Sequence, residues 1–294
     1  MKAASFFQKL YSRFSLGKLA IWTPSQSVHT SFFSVSELDE AGDFAEKLSA
    51  QGREAYFGLG LVRASLMHGR GKKTDIVALP GFWLDVDCHT AYRPPGPASR
   101  TLPPSPDALI ELLFETYQGD QEPSLIVQTG GGFHVYWLFP EPVEVNKQNY
   151  LTIEAECEAL QVQIRRNALK RGWHVDKTSD ITRVLRIPGT LNQRAAAEVK
   201  VIADSGQYFE RKRLSGEAGV STPLVLPVVS LPAVSSSPSP DVVCKPRFVL
   251  PSNISILDYV RSCLERSEEN HVIDLLAGRS FAKKGDRKST RLNS

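Results

Sequence analysis

The chain has 294 residues, of which 41% are hydrophobic, and its 35 Lys and Arg against 32 Asp and Glu give a formal net charge of +3. This composition predicts a globular protein with one domain of about 200 residues plus a smaller part, and so small a net charge does not mark a nucleic-acid-binding protein by itself. Four scattered cysteines without a Cys-x-x-Cys pair favour neither a zinc site nor a disulfide framework.

The other exclusions concern location. No apolar run approaches the length of about 18 residues that a membrane span needs, so we predict no membrane partner. Lys9 and Arg13 interrupt the apolar start of the chain, which argues against a secretory signal. The expected compartment is a reducing cytoplasm.

The predicted elements mix strands and helices in an α+β order. Helices are predicted at 39–51, from Ser105 as N-cap with Pro106 at the first position, and at 147–171. The hydrophobic patterns predict strands at 19–23, 55–62, 81–88, 124–128, 133–139 and 198–203. These elements predict one domain over residues 1–215.

Beyond this domain the sequence changes character. Residues 216–250 are rich in Pro and Ser and predict a linker. Residues 251–285 have helical patterns and are expected to begin a truncated C-terminal helical region. Residues 286–294 resemble the translation of a sequencing-library adapter, so we expect this tail to be an artefact.

Two carboxylates in an apolar run are the first candidate site. Asp85 and Asp87 are two residues apart in the strand predicted at 81–88, so both side chains emerge on one face while their neighbours enter the core. Such a pair can bridge two Mg²⁺ or Mn²⁺ ions about 3.5–4 Å apart, as in phosphoryl transfer. The alternative is a pair of solvated or turn-capping acids.

A glycine-rich turn is the second candidate site. Thr129, Gly130, Gly131 and Gly132 separate two predicted strands and are followed by His134. Glycines let backbone N–H groups approach an anion, and an imidazole can donate to a phosphate oxygen, which favours a triphosphate-binding turn. The alternative is a simple hairpin with a structural histidine.

The third candidate is the segment that contains Asp176, Asp180 and Arg186. Asp176 follows an apolar residue and could complete a three-carboxylate metal site, or be an ordinary strand-end acid. Arg186 offers a two-pronged contact to a phosphate, or is a surface salt-bridge partner.

Together these three motifs resemble the archaeo-eukaryotic primase superfamily, in particular the primase-polymerase (RepB-like primase) domains of plasmids, phages and integrated elements. That family has Asp-x-Asp or Asp-x-Glu, a Gly-rich stretch ending in His, and then a hydrophobic-Asp followed by a segment like Arg183-Val-Leu-Arg186-Ile-Pro-Gly-Thr-Leu-Asn192, in the same order. The resemblance spans about residues 17–203.

The resemblance implies a primase-polymerase fold with an antiparallel sheet, similar to that of RNA-recognition motifs, that carries the carboxylates. It implies Asp85, Asp87 and Asp176 as catalytic ligands of two Mg²⁺ or Mn²⁺ ions, with Asp180 as the second choice for the third ligand. The implied nucleotide-binding residues are Thr129, Gly130, Gly131, Gly132, His134, Arg183, Arg186 and Asn192.

The chain departs from the family at two points. Many members carry basic residues in the Gly-rich motif, so here Arg183, Arg186 or Lys177 would supply the positive charge. The zinc-binding module of several relatives is absent, and we predict no zinc.

The expected function is DNA-templated nucleotidyl transfer in the replication of a mobile element. Its partners would be a single-stranded DNA template and nucleoside triphosphates, with a replicative helicase, fused or in trans, as a candidate. One alternative is a two-metal nuclease, and another is an inactive origin- or DNA-binding replication module. A rolling-circle initiator is disfavoured, because it would need a His-hydrophobic-His pair.

Overall fold

The structure is a computed structural model that describes residues 1–24, 29–90 and 101–214. The predicted linker, C-terminal helical region and tail therefore lie outside the described residues. The helices are α1 (Ala3–Tyr11), α2 (Leu38–Ala50), α3 (Pro106–Thr116), α4 (Tyr150–Lys170) and α5 (Arg211–Leu214). None of the described helices is both long and apolar enough to cross a membrane.

An antiparallel sheet organises the described residues. Its strands are β1 (Lys18–Thr23), β2 (His29–Ser34), β3 (Tyr56–Gly58), β4 (Leu61–Val62), β5 (Ile76–Asp87), β6 (Leu125–Gln128), β7 (Gly132–Glu144), β8 (Val184–Arg186) and β11 (Lys200–Asp204). They are arranged in the order β11-β6-β7-β5-β4-β1-β3-β8, with β2 paired to β1. The short strands β9 (Leu191–Asn192) and β10 (Ala197–Glu198) form a separate hairpin. The predicted α+β class with an antiparallel sheet is confirmed.

Helices cover both faces of this sheet. Phe6 of α1 contacts Tyr136 of β7 with ring centres 5.9 Å apart, whereas Trp137 packs edge-on against Tyr117 at 4.8 Å, directly after α3. Because neighbouring residues of a strand point to opposite faces, α1 and α3 lie on opposite sides of β7. The buried aromatic and aliphatic side chains on both sides form the hydrophobic core.

The long strands β5 and β7 form the centre of the sheet. Their pairing joins Gly81 to Leu138 and continues without a break to Asp87 opposite Gly132. Upstream, Leu79 pairs with Val143, so the register shifts between Leu79 and Gly81. Residues 139–142 of β7 therefore lie opposite Pro80 alone. The end of β5 that carries the aspartates therefore belongs to one uninterrupted ladder.

Most predicted elements are present with shifted ends. Ser105 caps α3 as predicted, since its hydroxyl accepts a hydrogen bond of 3.2 Å from the Ala108 N–H. The strand predicted at 55–62 is interrupted at residues 59 and 60, between β3 and β4. Helix α1 was not predicted.

Candidate active site

Asp85 and Asp87 lie side by side at the end of the β5–β7 ladder. Leu84, Val86 and Cys88 are at most 1% exposed, whereas the two aspartates between them are partly exposed. The Asp85 side chain is 30% exposed. The alternation is the one expected for a strand with one face in the core, so both carboxylates are held on one face and in reach of solvent.

His134 is the cross-strand neighbour of Asp85. Its Nε2 lies 3.6 Å from Asp85 Oδ1, which is too long for a hydrogen bond. Burial lowers the pKa of His134 most strongly, the positive charges of Arg186 and Arg183 also lower it, and Asp87 opposes them, so that together they bring the pKa to about 3. The imidazole is therefore neutral at physiological pH, and its contact with Asp85 is not an ion pair.

The same imidazole carries an unsatisfied polar atom. His134 Nδ1 is buried, and no group in the described part of the chain forms a hydrogen bond with it. Since buried polar atoms normally have a partner, this atom marks His134 as a residue that the fold alone does not satisfy.

The glycine-rich turn connects β6 to β7 beside the aspartates. The Thr129 N–H donates to the Gly132 carbonyl at 3.0 Å, and the Gly131 N–H donates to the Thr129 hydroxyl at 3.3 Å. The Gly131 carbonyl accepts a bond of 3.0 Å from the Cys88 N–H at the end of β5. The turn is thus a hydrogen-bonded hairpin, and the binding of a nucleotide by Thr129, Gly130, Gly131 and Gly132 stays a prediction.

Two of these glycines are required by close approach. A Cβ atom at Gly132 would lie 1.9 Å from the Val86 carbonyl oxygen, a contact that no side chain tolerates. Gly130 has a φ of +81°, and a Cβ there would lie 2.7 Å from Ala197 Cβ. The turn therefore packs tightly against β5 and the β9–β10 hairpin.

The segment between Val175 and Arg183 runs along the side of β5 that β7 does not occupy. Gln161 of α4, fully buried, accepts a bond of 3.0 Å from the Thr178 N–H and donates one of 2.8 Å to the Trp83 carbonyl. The Thr178 hydroxyl accepts a bond of 3.2 Å from the Asp85 N–H. Gln161 and Thr178 thus take the place of a neighbouring strand next to Asp85.

Two glutamates of α4 extend this attachment. Glu154 accepts a bond of 3.1 Å from the Ile181 N–H, and Glu158 accepts one of 2.9 Å from the Ser179 hydroxyl. Together with Gln161 they are spaced by four and three residues, so they share one face of the helix. This face of α4 holds the segment against β5.

Asp180 is connected to the aspartate pair through Arg183. The Arg183 guanidinium donates a bond of 2.6 Å to Asp180 and lies 4.0 Å from Asp85 Oδ2. Asp176 forms a contact of 2.9 Å with His174, and its side chain is 52% exposed. Arg183 thus links Asp180 to Asp85, and the choice between Asp176 and Asp180 as the third ligand stays a prediction. Within residues 1–24, 29–90 and 101–214, no three His, Cys, Asp or Glu side chains are grouped so that they could hold a metal.

The remaining predicted residues have contacts within the protein. Arg186 pairs with Glu54, and both side chains are 13% exposed, so this is a largely buried ion pair and not a surface salt bridge. Asn192 is buried and donates to the Thr129 carbonyl at 2.8 Å, which fixes the glycine-rich turn. Lys177 is 63% exposed and lies 3.6 Å from Glu158. The positive charges that act on His134 are those of Arg186 and Arg183.

Sequence reasoning missed Gln161, Thr178 and Glu54. Gln161 had a detectable signal, because it occupies the buried face of α4 together with Cys157, Ile164 and Ala168. A glutamine within such an apolar stripe indicates that its side chain forms hydrogen bonds with other buried groups. Glu54 had no such signal, since its partner is 132 residues away in the sequence.

No family model matches the chain, and no curated protein matches it. Among solved structures, it is similar to the AEP domain of the primase-polymerase (PrimPol) of cyanophage S-2L, with 15% identity over 72% of this chain and 94% of that chain and a TM-score of 0.48. It is also similar to the catalytic domain of primase RepB′ in complex with initiator DNA, with 13% identity, 73% and 92% of the two chains covered, and a TM-score of 0.42. A further RepB′ primase structure has 10% identity, 95% and 69% coverage, and a TM-score of 0.42.

Proposed function

We propose that this protein is a primase-polymerase, a DNA-templated nucleotidyltransferase that makes or extends primers in the replication of a mobile element. The observation that carries the proposal is the grouping of Asp85 and Asp87 with a neutral His134 and the Arg183 guanidinium. Acids alone would suit any metal-dependent hydrolase. A neutral imidazole and a cation beside them suit a substrate that brings several phosphates.

The aspartate pair fits a divalent metal with oxygen ligands. Mg²⁺ is commonly held by one or two carboxylates, with the remaining positions filled by water and substrate phosphates, so a third protein ligand is not required. Asp85 and Asp87 would hold the metal, and Asp180 lies across Arg183 from Asp85. When bound, two such ions activate the attacking oxygen and stabilise the leaving group in an in-line displacement.

The residues of the chain supply positioning and charge. Arg183 is oriented by Asp180 and places positive charge within 4.0 Å of Asp85, where the phosphates of a nucleotide would lie. His134, neutral and with an unsatisfied Nδ1, can donate a hydrogen bond to a phosphate oxygen through one ring nitrogen without carrying a charge. Arg186, held by Glu54, adds a positive field at His134.

The nuclease alternative uses the same aspartates but gives no role to these cations. Hydrolysis of a phosphodiester needs a metal-activated water and no site for a triphosphate. Two adjacent carboxylates would repel the phosphate backbone of DNA, so they have no function in a module that only binds DNA. We therefore rank both below the primase-polymerase.

The experiment that tests the proposal is nucleotide incorporation by the full chain on single-stranded DNA. Labelled nucleoside triphosphates are supplied with Mg²⁺ or Mn²⁺, with and without a primer, and products are resolved by length. Products longer than the primer, or made without one, and their loss in an Asp85→Asn, Asp87→Asn double variant, are expected. Shortening of the DNA would assign the nuclease, and neither product in the presence of DNA binding would assign the inactive module.

A further inference from the structure

An aromatic and cationic row crosses four strands of the sheet. Thr30 of β2 pairs with Trp22 of β1, Trp22 pairs with Tyr56 of β3, and Tyr56 pairs with Arg186 of β8. Directly paired residues of antiparallel strands lie on the same face of a sheet. Trp22 and Tyr56 are both partly exposed, whereas their chain neighbours Ile21 and Phe57 are buried. The row therefore lies on the face of these strands that the core does not use.

The members of this row contact one another in sequence, with the two rings tilted by 44°. The Arg70 guanidinium lies 4.7 Å from the centre of the Trp22 ring, the Trp22 and Tyr56 rings are 5.4 Å apart, and the Arg186 guanidinium lies 4.9 Å from the Tyr56 ring. We call Arg70, Trp22, Tyr56 and Arg186 the stacked row. One end is Arg186, whose charge acts on His134, so the row leads to the candidate active site.

The other end of the stacked row is a basic loop. The connection between β4 and β5, residues 63–75, contains four Lys or Arg and a single acid, Asp75. Arg63 pairs with Asp75 and Lys73 pairs with Glu154, whereas Arg70 and Lys72 are exposed. A further exposed cation, Arg194, is close enough to Tyr56 to oppose the rise in the pKa of Tyr56 that burial causes. Positive charge therefore flanks the rings on two sides.

We propose that the stacked row and the loop 63–75 bind single-stranded nucleic acid, with bases stacked on the row and phosphates at Arg70, Lys72 and Arg194. Indole, phenol and guanidinium planes all offer stacking faces to an unpaired base, and this stacking tolerates any sequence. An acidic peptide would use the cations but not the rings. The inference deepens the proposed function, on which it rests, by naming the surface that guides a single-stranded template to Asp85 and Asp87.

The test measures DNA binding without catalysis. Fluorescence anisotropy of a labelled oligothymidine of about 20 nucleotides, which exceeds one stacking site, is recorded with the full chain over a series of salt concentrations and without divalent metal or nucleotide. Trp22→Leu is expected to weaken binding about tenfold with the salt dependence unchanged, because stacking is lost but no charge is. Arg70→Gln is expected to weaken binding and to reduce the slope of log affinity against log salt by about 0.7.

Two controls separate binding from folding. Trp22→Phe keeps a stacking face, so it should retain most of the affinity that Trp22→Leu loses. Arg171→Gln removes a second arginine that stacks on a tryptophan, 5.1 Å from the Trp173 ring at the end of α4, and should bind DNA like the wild type. Wild-type affinity of both Trp22→Leu and Arg70→Gln, or an equal loss in Arg171→Gln, would overturn the proposal.

Two further arms separate base stacking from catalysis and from simple charge attraction. Asp85→Asn should bind the oligonucleotide at least as well as the wild type, so a failure of the proposed catalysis leaves this inference standing and testable. Polyglutamate supplies charge without bases. If it displaces the oligonucleotide from the wild type and from Trp22→Leu equally well at matched charge, the surface is a general polyanion site and the assignment of bases to the stacked row is wrong.

Discussion

The two sides of the candidate site are held by different kinds of bonds. Asp85, Asp87 and His134 belong to the uninterrupted β5–β7 ladder, where backbone hydrogen bonds and core packing fix each position. Asp180 and Arg183 belong to a segment without a ladder, which side chains of α4 attach to β5. The first side is held rigidly by the backbone hydrogen bonds between β5 and β7. The second depends on a few side-chain bonds, so we expect it to be the more easily disturbed.

Removal of one charge from the ladder side should have the largest effect on activity. If Asp85 and Asp87 hold the metal as proposed, Asp85→Asn or Asp87→Asn is expected to lower nucleotide incorporation on the order of a thousandfold, because several kcal/mol of transition-state stabilisation are lost. Thermal melting without metal should stay close to the wild type, since both side chains are partly exposed. Glu141→Gln, an exposed acid on the same sheet, is the control. Extension at the wild-type rate by either aspartate variant would remove the metal assignment.

The rigidity of the ladder side can be broken at Gly132. Gly132→Ala is expected to cost at least about 3 kcal/mol in the free energy of unfolding, because its Cβ would clash with the Val86 carbonyl in a packed ladder. Gly119→Ala has a positive φ of +59° but no atom within 4 Å of the added Cβ. It should cost about 1 kcal/mol from backbone strain alone. Denaturant unfolding measures both, and equal losses would contradict the tight packing of the turn.

The α4 attachment can be removed at Gln161. Gln161→Met keeps the volume but leaves the Thr178 N–H and the Trp83 carbonyl without their partner, so we expect a loss of about 2 kcal/mol in the free energy of unfolding. Gln163→Met, a partly exposed glutamine on the same helix, should change stability by less than about 0.5 kcal/mol. Hydrogen exchange at Thr178 and Asp85 should accelerate only in the first variant. Unchanged exchange there would mean that the segment is held by other contacts.

A smaller effect should distinguish the two acids of the segment. Asp180→Asn is expected to lower incorporation about tenfold, or about 1.4 kcal/mol, because Arg183 loses the carboxylate that orients it. Asp176→Asn should stay within about twofold of the wild type, since Asp176 contacts the half-exposed His174. Steady-state rates at saturating nucleotide measure both variants. The opposite ranking would favour Asp176 over Asp180 as the third acid.

The smallest effect concerns the protonation of His134. An unfolded histidine binds a proton near pH 6.5, whereas the folded His134 stays neutral down to about pH 3, so the unfolded state holds more protons in this window. Stability is therefore full above pH 6.5 and falls as the pH drops, by less than about 1 kcal/mol between pH 7 and pH 6. In His134→Gln, the free energy of unfolding should fall less between pH 7 and pH 6 than in the wild type. In His68→Gln, a change at an exposed histidine, it should fall as in the wild type. Urea unfolding at the two pH values provides the comparison.

The ladder side could be predicted from sequence because strand alternation is a local rule. Asp85 and Asp87 were correctly placed on one face of a strand, and the glycine-rich turn was correctly placed as a connection between two strands. Both follow from the period of two and from glycine in a turn.

The other side could not be predicted in this way. Residues 173–183 form no strand, so the period of two that placed Asp85 and Asp87 on one face does not apply to Asp176 and Asp180. The positions of residues 173–183 depend on Gln161, Glu158 and Glu154, which reach them through tertiary contacts. The ion pair of Arg186 with Glu54 likewise depends on the completed sheet.

The register shift between β5 and β7 has a consequence for how this protein tolerates changes in length. Residues 139–142 of β7 lie outside the paired register, so one or two residues inserted there need not move the pairing of Gly81 with Leu138. A single insertion between Phe82 and Asp85 would instead turn both carboxylates into the core and the apolar side chains out of it. In a library of single-residue insertions, we expect folded and active clones at 139–142 and none at 82–87. Strand β5 would then lose folding or activity when its length changes near the aspartates, whereas β7 would tolerate insertions at 139–142.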